Sequence, residues 1–284
     1  MNNVTQAFGF PDFLDPKGLL ETAAHLSLRD EASHQVSEPI VLLKEAGDLH
    51  AETLSCLLYG EPVYLEKAET GWAFITSLID GYRGWVEISS LSQTLQKPTH
   101  QVSAPLTHIY AKPSLKSQPM QAVPMGSYLT ATTGAEENKF LPLADGNWVY
   151  SKHLDEIGAV TADPVGIALS FLGSPYLWGG RSRLGIDCSG LIQISLAACG
   201  IRTHRDSGAQ FNSLGRLLEQ HETPRHGDLA FFPGHVGWML DDTRLLHANA
   251  THMAVTIDPL EDVIRWVASE TDKPPFSGFK RLTT

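Results

Sequence analysis

The sequence predicts an α+β domain at the C-terminal end of the chain, preceded by two small all-β barrels. Three observations support this fold class. The segments VSEPIVLLKEAG and VSAPLTHIYAKP begin 66 residues apart and indicate an internal repeat. A Gly-rich loop is followed by LIQISLAACG, whose apolar residues have helical spacing. From GDLAFF to FKRL, short apolar strands alternate with Gly and Asp turns, which is typical of an antiparallel sheet.

Each repeat unit is rich in short alternating strands and predicts a barrel of about sixty residues. Gly60 matches Gly126 at the same spacing of 66, and the tryptophans of RGWVEISSL and GNWVYSKHL match at 63. We place the first barrel at residues 35–97 and the second at 98–156. The middle of the second unit, TTGAEENKF, is polar and lacks the aromatic strand WAFITSL of the first. Residues 1–34 form an N-terminal extension with one predicted helix, PKGLLETAAHLSL.

The third domain is predicted to span residues 163–284, after the linker DEIGAVTAD. Asp163 followed by Pro164 is typical of a helix start, and the helix is expected to end near Gly173. In the next loop, Gly179 and Gly180 predict a close approach of two backbone segments.

Cys188 is a candidate nucleophile, because it lies at the predicted first turn of the next helix. Unpaired backbone N–H groups and the helix dipole favour a thiolate there. The alternative is a small apolar residue packed under the helix. His235 begins the strand HVGWML and His247 lies in the next strand, so a turn at residues 241–243 brings both imidazoles to one end of a sheet. Thiol chemistry needs a base and a group that orients it, and these residues could fill the three roles.

The motifs PYLWGG, IDCSGLI, GDLAFF, GHVGWML and LLHAN resemble the NlpC-type cysteine peptidases of bacteria, a branch of the papain-like fold. The resemblance implies an α+β papain-like (NlpC-type) catalytic domain in which Cys188, His235 and His247 form the catalytic triad. It also implies that the hydroxyl of Tyr176 helps to stabilise the oxyanion. Family members typically cleave the γ-D-glutamyl to diamino acid bond of peptidoglycan stem peptides.

The repeat units resemble bacterial SH3-like domains, which members of this family often carry in front of the peptidase domain. In the intracellular peptide-recycling relatives, a Glu and a Tyr of the first barrel help to hold the free amino group of the substrate's L-alanine. The matching residues here are Glu61 and Tyr82. A carboxylate beside an ammonium makes a charge-assisted contact that an acylated alanine cannot make. A solvated turn carboxylate and a barrel-core aromatic remain open as alternatives.

Five residues around the nucleophile are expected to contact substrate: Trp178, Asp187, Ser189, Asp206 and Ser207. The resemblance implies that Asp187, Asp206 and Ser207 line the pocket for the alanine amine and the D-glutamate α-carboxylate. Trp178 is a candidate pocket wall, with core filling as the alternative. A buried carboxylate beside Cys188 raises the pKa of the thiol unless a cation lies between them, so we assign Asp187 to the substrate ammonium. Arg205 could bind the substrate carboxylate, or the neighbouring Asp206 could neutralise the charge of Arg205.

Composition limits the partners and the compartment. The 284 residues carry a formal net charge of −11 without a run of Lys or Arg, which argues against nucleic acid and anionic lipid as partners. The three cysteines, Cys56, Cys188 and Cys199, include no CxxC pair, which favours a reducing compartment and argues against structural zinc. The chain begins without a secretory signal pattern, and no window reaches a membrane-spanning length. We expect a cytoplasmic enzyme that needs no metal or cofactor.

The sequence therefore predicts a cysteine endopeptidase that hydrolyses the bond between γ-D-glutamate and an L-diamino acid, meso-diaminopimelate or lysine. Its substrate would be a peptidoglycan stem peptide with a free N-terminal L-Ala, in murein peptide recycling. Three alternatives remain open. The chain could be an exported cell-wall hydrolase that acts on intact peptidoglycan, a non-catalytic SH3-like protein that binds wall fragments, or a thiol amidase or acyltransferase on the same core.

Overall fold

A computed structural model describes residues 32–282. The predicted helix PKGLLETAAHLSL therefore lies outside the described residues. The described chain falls into two compact units, one that ends at Val160 and one that begins at Thr161.

The first barrel is an antiparallel sheet of seven strands in the order β3-β2-β6-β5-β4-β1-β7. Its strands are β1 (His34–Val36), β2 (Ile40–Lys44), β3 (Thr53–Leu58), β4 (Pro62–Glu69), β5 (Trp72–Ser77), β6 (Arg83–Glu87) and β7 (Leu91–Ser92). Alternate apolar residues point inward, and Leu43, Ile75 and Val86 lie fully buried in one core. A short 3-10 helix, Ile88–Ser90, leads from β6 into β7.

The second barrel is built from two smaller sheets, β10-β9-β13-β12 and β11-β8-β14. Its strands are β8 (His100–Val102), β9 (Leu106–Tyr110), β10 (Pro119–Pro124), β11 (Tyr128–Leu129), β12 (Phe140–Pro142), β13 (Trp148–Tyr150) and β14 (Leu154–Glu156). Ile109, Val123 and Val149 lie at the centre of its core. A 3-10 helix, Ser151–His153, precedes β14.

The two barrels share one strand register, as the sequence repeat predicts. Lys44 pairs with Trp85 in the first barrel, and Tyr110 pairs with Trp148 in the second. The strand β12 takes the place of β5, although the polar stretch before it gave no strand signal. The barrel boundaries assigned at residues 97 and 156 stay predictions.

The C-terminal unit is α+β, as predicted. Its helices are α1 (Pro164–Leu169), α2 (Cys188–Ala197), α3 (Ser207–Ser213) and α4 (Leu260–Glu270), and its strands are β15 (Arg181–Ser182), β16 (Gly185–Ile186), β17 (Arg216–Leu217), β18 (Leu229–Phe232), β19 (His235–Met239), β20 (Arg244–Asn249), β21 (Ala254–Pro259) and β22 (Gly278–Arg281). Six strands form one antiparallel sheet in the order β17-β22-β18-β19-β20-β21. Neither α3 nor α4 is predicted from the sequence pattern.

Helix α2 is the central element of this unit, because its residues from Cys188 to Leu196 are all buried. The indole N–H of the fully buried Trp238 on β19 donates to the hydroxyl of Ser195, 3.0 Å away. This bond fixes the nucleophile helix against the strand that begins with His235. Between residues 32 and 282, no helix combines the length and apolarity that a bilayer crossing requires.

The turn before β4 lies against the second barrel, so substitutions in this turn measure how closely the two barrels pack. Gly60 has a φ of +78°, and a Cβ added there would lie 2.2 Å from the carbonyl oxygen of Tyr128. Gly71 has a φ of +85° and no heavy atom within 4 Å of an added Cβ. We expect Gly71→Ala to lower the unfolding free energy by about 1 kcal/mol through backbone strain alone, and Gly60→Ala to lower it by about 3 kcal/mol through strain and the clash. Urea unfolding followed by circular dichroism measures both, and equal losses would contradict this close packing.

Candidate active site

Cys188 is the first residue of α2, at the position that the sequence predicts for a nucleophile. Asp187 caps the helix, because its carboxylate accepts the N–H of Gly190 at 2.7 Å. A Cβ on Gly190 would lie 2.3 Å from the carbonyl oxygen of Gly180, and a Cβ on Gly180 would lie 2.4 Å from that of Gly185. The predicted close backbone approach at Gly180 is therefore confirmed, and it presses the preceding loop against the start of the helix.

The sulfur of Cys188 lies at the start of β19. Its Sγ is 4.0 Å from the carbonyl oxygen of Gly234, and the backbone N–H groups of Val236 and Ser189 donate to it. Gly234 and Val236 are the two chain neighbours of His235, so the nucleophile and the candidate base meet where helix α2 packs on the sheet.

The imidazoles of His235 and His247 form a hydrogen bond, with Nε2 of His235 2.7 Å from Nδ1 of His247. Their strands, β19 and β20, are antiparallel neighbours. Gly237 makes room for this arrangement, because a Cβ there would lie 2.9 Å from the Cβ of His247. The expectation that both imidazoles meet at one end of the sheet is confirmed.

Asp258 on β21 continues the chain of hydrogen bonds. Its Oδ2 lies 3.1 Å from Nε2 of the buried His247 and accepts the hydroxyl of Thr256. Its Oδ1 lies 3.3 Å from Nε2 of His252. Asn249 donates to Oγ1 of Thr256 at 2.7 Å, which orients that hydroxyl towards Asp258.

This connectivity fixes the tautomer of both catalytic imidazoles. An ionised carboxylate can only accept hydrogen bonds, so Nε2 of His247 carries a proton and points it at Asp258. The Nδ1 of His247 is then an acceptor, and Nε2 of His235 donates to it. The Nδ1 of His235 keeps its lone pair, which is the one available to remove a proton from Cys188.

Burial keeps the catalytic pair uncharged. Burial, followed by the nearby Asp187, raises the pKa of Cys188 to about 12. Burial, followed by the neighbouring His247, lowers the pKa of His235 to about 3. Burial acts to raise the pKa of Asp258, but the hydrogen bonds from Thr256 and His247 outweigh it and the net shift is downward. At neutral pH the resting site therefore contains a thiol, two neutral imidazoles and a carboxylate.

The structure pairs Asp187 with Arg205 in a buried ion pair. Nη2 and Nη1 of Arg205 lie 2.5 and 2.9 Å from the two carboxylate oxygens, and Arg205 is only 3% exposed. The same carboxylate accepts the N–H of Gly179 at 2.9 Å and the hydroxyl of Ser189 at 3.2 Å. Arg205 is thus the cation that offsets the effect of Asp187 on the thiol. The proposed contacts of Asp187 and Ser189 with substrate stay predictions.

Asp206 and Ser207 lie at the start of α3, next to this ion pair in the chain. Asp206 is exposed and Ser207 is half-buried. The side chain of Gln210 on the same helix donates to the carbonyl oxygen of Ser189 at 3.0 Å, which ties α3 to the first turn of α2. The structure therefore places both predicted residues near the nucleophile helix.

Tyr176 and Trp178 belong to the loop in front of the nucleophile. Burial, and then the proximity of Cys188 and Asp187, raises the pKa of Tyr176, so its hydroxyl remains a hydrogen-bond donor. Trp178 is 58% exposed, which excludes simple core filling and agrees with a pocket wall.

Glu61 and Tyr82 lie in the N-terminal unit, and their proposed contacts with substrate stay predictions. Glu61 is buried, and its carboxylate accepts the N–H of Leu58 at 3.0 Å, so it is not a solvated turn residue. Tyr82 is partly buried and packs against the core of the first barrel.

Asp258, Thr256 and the partner of Arg205 were missed by the sequence analysis. A weak signal for the first two exists in MAVTID. Thr256 and Asp258 alternate with apolar residues and therefore share one face of the strand next to His247. Nothing in the sequence separates the pairing of Arg205 with Asp187 from a pairing with its neighbour Asp206.

Among residues 32–282, no three His, Cys, Asp or Glu side chains are grouped so that they could hold a metal ion. A thiol beside a neutral imidazole can form a thiolate at the moment when the imidazole removes its proton.

Two protein-family models match the chain. The model of the NlpC/P60 family matches residues 173–266, and the model of the bacterial dipeptidyl-peptidase Sh3 domain matches residues 45–91. The chain is 29% identical over 244 residues to dipeptidyl-peptidase 6 of Lysinibacillus sphaericus, covering 76% of this chain and 87% of that protein. It is 28% identical over 236 residues to γ-D-glutamyl-L-lysine dipeptidyl-peptidase of Bacillus subtilis strain 168, covering 73% and 76%.

A solved structure shares the fold. The crystal structure of an NlpC/P60 family protein from Bacillus cereus superposes with a TM-score of 0.72 at 21% identity, covering 88% of this chain and 99% of the other. The fold predicted from the sequence, a papain-like α+β domain behind an SH3-like all-β region, is confirmed.

The neutral thiol can be tested by alkylation with iodoacetamide. The pKa of Cys188 is about 12, so at pH 7 to 9 only a small fraction of the thiol is ionised, and this fraction increases about tenfold with each unit of increasing pH. The alkylation rate should therefore increase about tenfold per pH unit from pH 7 to 9. Cys199, whose pKa is raised to about 11, gives the same slope in the same digest and serves as an internal control. Mass spectrometry of the two peptides measures both rates. A rate at Cys188 that is already constant from pH 6 would show a preformed thiolate and contradict the neutral pair.

Proposed function

Because this chain contains an NlpC/P60 cysteine peptidase domain behind a bacterial SH3-like region, we propose that it hydrolyses the bond between γ-D-glutamate and an L-diamino acid in peptides from peptidoglycan. The observation that carries this proposal is the thiol of Cys188 at the start of helix α2, beside the two chain neighbours of His235, whose imidazole is hydrogen-bonded to His247 and through it to Asp258. No part of this set is missing, which argues against a purely binding protein.

The names of the relatives support a specific bond. One is a γ-D-glutamyl-L-lysine dipeptidyl-peptidase and another is a dipeptidyl-peptidase. A dipeptidyl-peptidase releases two residues from a free N-terminus, so the substrate here would begin with the unblocked dipeptide L-Ala-γ-D-Glu. The accepted diamino acid would be lysine or meso-diaminopimelate.

In the acylation step, Nδ1 of His235 takes the thiol proton as the sulfur of Cys188 attacks the γ-carbonyl carbon of D-glutamate. The backbone N–H of Cys188 and the hydroxyl of Tyr176 stabilise the oxyanion. His235, now an imidazolium, returns its proton to the amine of the diamino acid as the C–N bond breaks. A thioester and a free diamino acid amine result.

In the deacylation step, His235 takes a proton from water, and the hydroxide attacks the thioester carbon. The C–S bond breaks, and the proton returns to the sulfur. The products are the dipeptide with a free γ-carboxylic acid, which gives its proton to the solvent, and the neutral thiol from which the cycle began. His247 holds the imidazole in one orientation through both steps, and the charge of Asp258 stabilises the transient imidazolium.

Further residues are proposed to bind this substrate, as the family resemblance implies. Asp206 and Ser207 would line the pocket for the amine of L-alanine and the α-carboxylate of D-glutamate. Trp178 would form a wall beside the scissile bond. Glu61 and Tyr82 would contact the ammonium of L-alanine. An ammonium requirement would exclude alanine that is still linked to glycan.

We further propose a cytoplasmic role in recycling murein peptides. All three cysteines lie in the described part of the chain and none forms a disulfide, which favours a reducing compartment. The rival role is an exported hydrolase of intact wall, and substrate choice separates the two.

A comparison of three substrates tests the bond and the role together. The chain should cleave L-Ala-γ-D-Glu-L-Lys or its diaminopimelate analogue. It should cleave the N-acetylated peptide and intact sacculi at least about 100-fold more slowly, because in both the ammonium of L-alanine is absent. Cys188→Ala should abolish turnover, while Cys199→Ala, at a half-buried cysteine outside the site, should retain it. Mass spectrometry of the products measures each rate. Equal cleavage of sacculi would favour the exported hydrolase, and full activity in Cys188→Ala would refute the thiol mechanism.

Asp258 should act on turnover more than on binding, because its contacts are with His247, Thr256 and His252 and none of these is proposed to touch substrate. We expect Asp258→Ala to lower kcat by about 10- to 100-fold while KM changes by less than about threefold, since the tautomer of His247 is no longer fixed. Asp258→Asn keeps an acceptor oxygen and should lose less. Asp242→Ala, at an exposed carboxylate in the turn before β20, is the matched control. A loss expressed only in KM, or equal kcat values in Asp258→Ala and Asp242→Ala, would remove the positioning role.

A further inference from the structure

The second barrel contains a cavity that the catalytic function does not use. It measures about 510 Å³, which is within the range of small-ligand sites. Its walls come from β9, from the hairpin that leads into β12, from β13 and from the 3-10 helix after β13. The lining residues are Leu106, Thr107, His108, Tyr110, Leu115, Asn138, Lys139, Phe140, Tyr150 and His153.

Three aromatic rings form a continuous wall of this cavity. The rings of Tyr110 and Phe140 lie 5.5 Å apart at 86°, and those of Phe140 and Tyr150 lie 5.7 Å apart at 69°. The imidazole of His153 packs against Tyr150 at 5.0 Å. Such edge-to-face contacts hold the rings rigidly, so an apolar ligand group would meet a preformed surface.

The polar groups of the cavity combine one cation with neutral hydroxyl, amide and imidazole groups. No Asp or Glu is among the ten lining residues, although the chain as a whole has 32 acidic residues against 21 basic ones. Lys139 contributes an exposed ammonium. Nδ1 of His153 is bonded to the buried hydroxyl of Thr107 at 2.8 Å, which fixes its ring. Burial, and then the nearby His108, lowers the pKa of His153, so the lasting positive charge is that of Lys139.

Lys139 is held in its place by an unusual turn. Asn138 and Lys139 have φ values of +51° and +70°, and the flanking Glu137 and Phe140 exchange two backbone hydrogen bonds. This is a two-residue hairpin turn of the kind that normally ends in glycine. A lysine in the left-handed region costs about 1 kcal/mol or more, and here that strained residue carries the ammonium at the cavity wall.

The first barrel offers an internal comparison, because the strand registers are equivalent. Phe140 pairs with Tyr150 where Trp72 pairs with Glu87 in the first copy. Tyr110 occupies the place of Lys44, as its pairing with the matching tryptophan shows. In the first copy Lys44 donates to the carbonyl oxygen of Ala51 and to Thr53.

The matched positions inside the barrels are apolar in both copies, with Ala73 and Val86 in the first and Leu141 and Val149 in the second. The lining of Tyr110, Phe140 and Tyr150 therefore differs from the outward face of the first barrel, where Lys67 and Arg83 lie over the rings of Phe74 and Trp85. Packing of the fold does not require this lining.

We propose that this cavity binds the carboxylate end of a short peptide. A carboxylate accepts hydrogen bonds from the phenol, amide and imidazole groups and makes a charge-assisted contact with the ammonium of Lys139, a contact that a neutral saccharide cannot make. The aromatic wall accommodates an aliphatic side chain of the terminal residue. The net charge of −11 repels an anionic peptide elsewhere on the chain, so a local cation is needed to hold it. The proposal does not depend on which bond the catalytic site cleaves.

Histidine NMR of the intact chain tests the proposal at the cavity itself. Carbon–proton correlation spectra of labelled protein report on the rings of His108 and His153, whose signals are assigned with His108→Gln and His153→Gln. The probe is tri-L-alanine, which contains no γ-glutamyl bond and so is not the proposed substrate. We expect saturable shifts of both signals, and at least about tenfold weaker binding of the C-terminal amide of the same peptide.

Lys139→Gly is the decisive variant, because it removes the ammonium and places at this φ the residue that favours it, so the barrel should remain folded. We expect it to weaken tri-L-alanine binding at least about tenfold. Lys152→Ala, at an exposed lysine of the same barrel outside the cavity lining, should bind as the wild type does. The proposal is overturned if the two signals do not shift, if the amide or Lys139→Gly binds equally well, or if N,N′-diacetylchitobiose produces the same saturable shifts in place of the peptide.

Discussion

The hydrogen bond between His235 and His247 is the interaction on which the active site depends. Two imidazoles with ring nitrogens 2.7 Å apart must share a single proton along that line, so one is the donor and the other the acceptor. Asp258 decides the direction, since its carboxylate can only accept the proton of His247. Reversing this order would place the proton of His235 on Nδ1, the nitrogen not bonded to His247, and would leave the thiol without a base.

A neutral resting site places particular demands on its surroundings. Separating charge between Cys188 and His235 inside a buried site is costly unless fixed dipoles already point at the ions that form. The first turn of α2 and the N–H of Val236 face the sulfur, and Asp258 lies behind the second imidazole. The ion pair of Asp187 and Arg205 is electrically balanced, so it anchors the loop without adding a net charge beside the thiol.

The residues of this site that belong to one helix start or one hairpin can be predicted from the sequence. The residues whose roles depend on the pairing of separate strands cannot. Cys188 was predictable because a glycine loop and an apolar run define one helix start. His235 and His247 were predictable because a short turn joins their strands. Asp258 was not, since its role arises from a strand pairing that local pattern does not encode. Helix α4 was missed because its amphipathic residues follow β21 without a capping signal, and no side chain caps it in the structure.

The two barrels show why duplicated folds diverge where they do. Inward positions such as Val86 and Val149 lie in close-packed cores, where a change of one methylene already alters stability. These positions are therefore apolar in both copies. Outward positions on the same strands do not pack in the core. One such position is Glu87 in the first copy and Tyr150 in the second, and this difference has little effect on folding. Three outward aromatic rings on adjacent strands can therefore arise without loss of the fold. Once adjacent, they shield one another and create a surface that only a ligand of matching chemistry covers favourably.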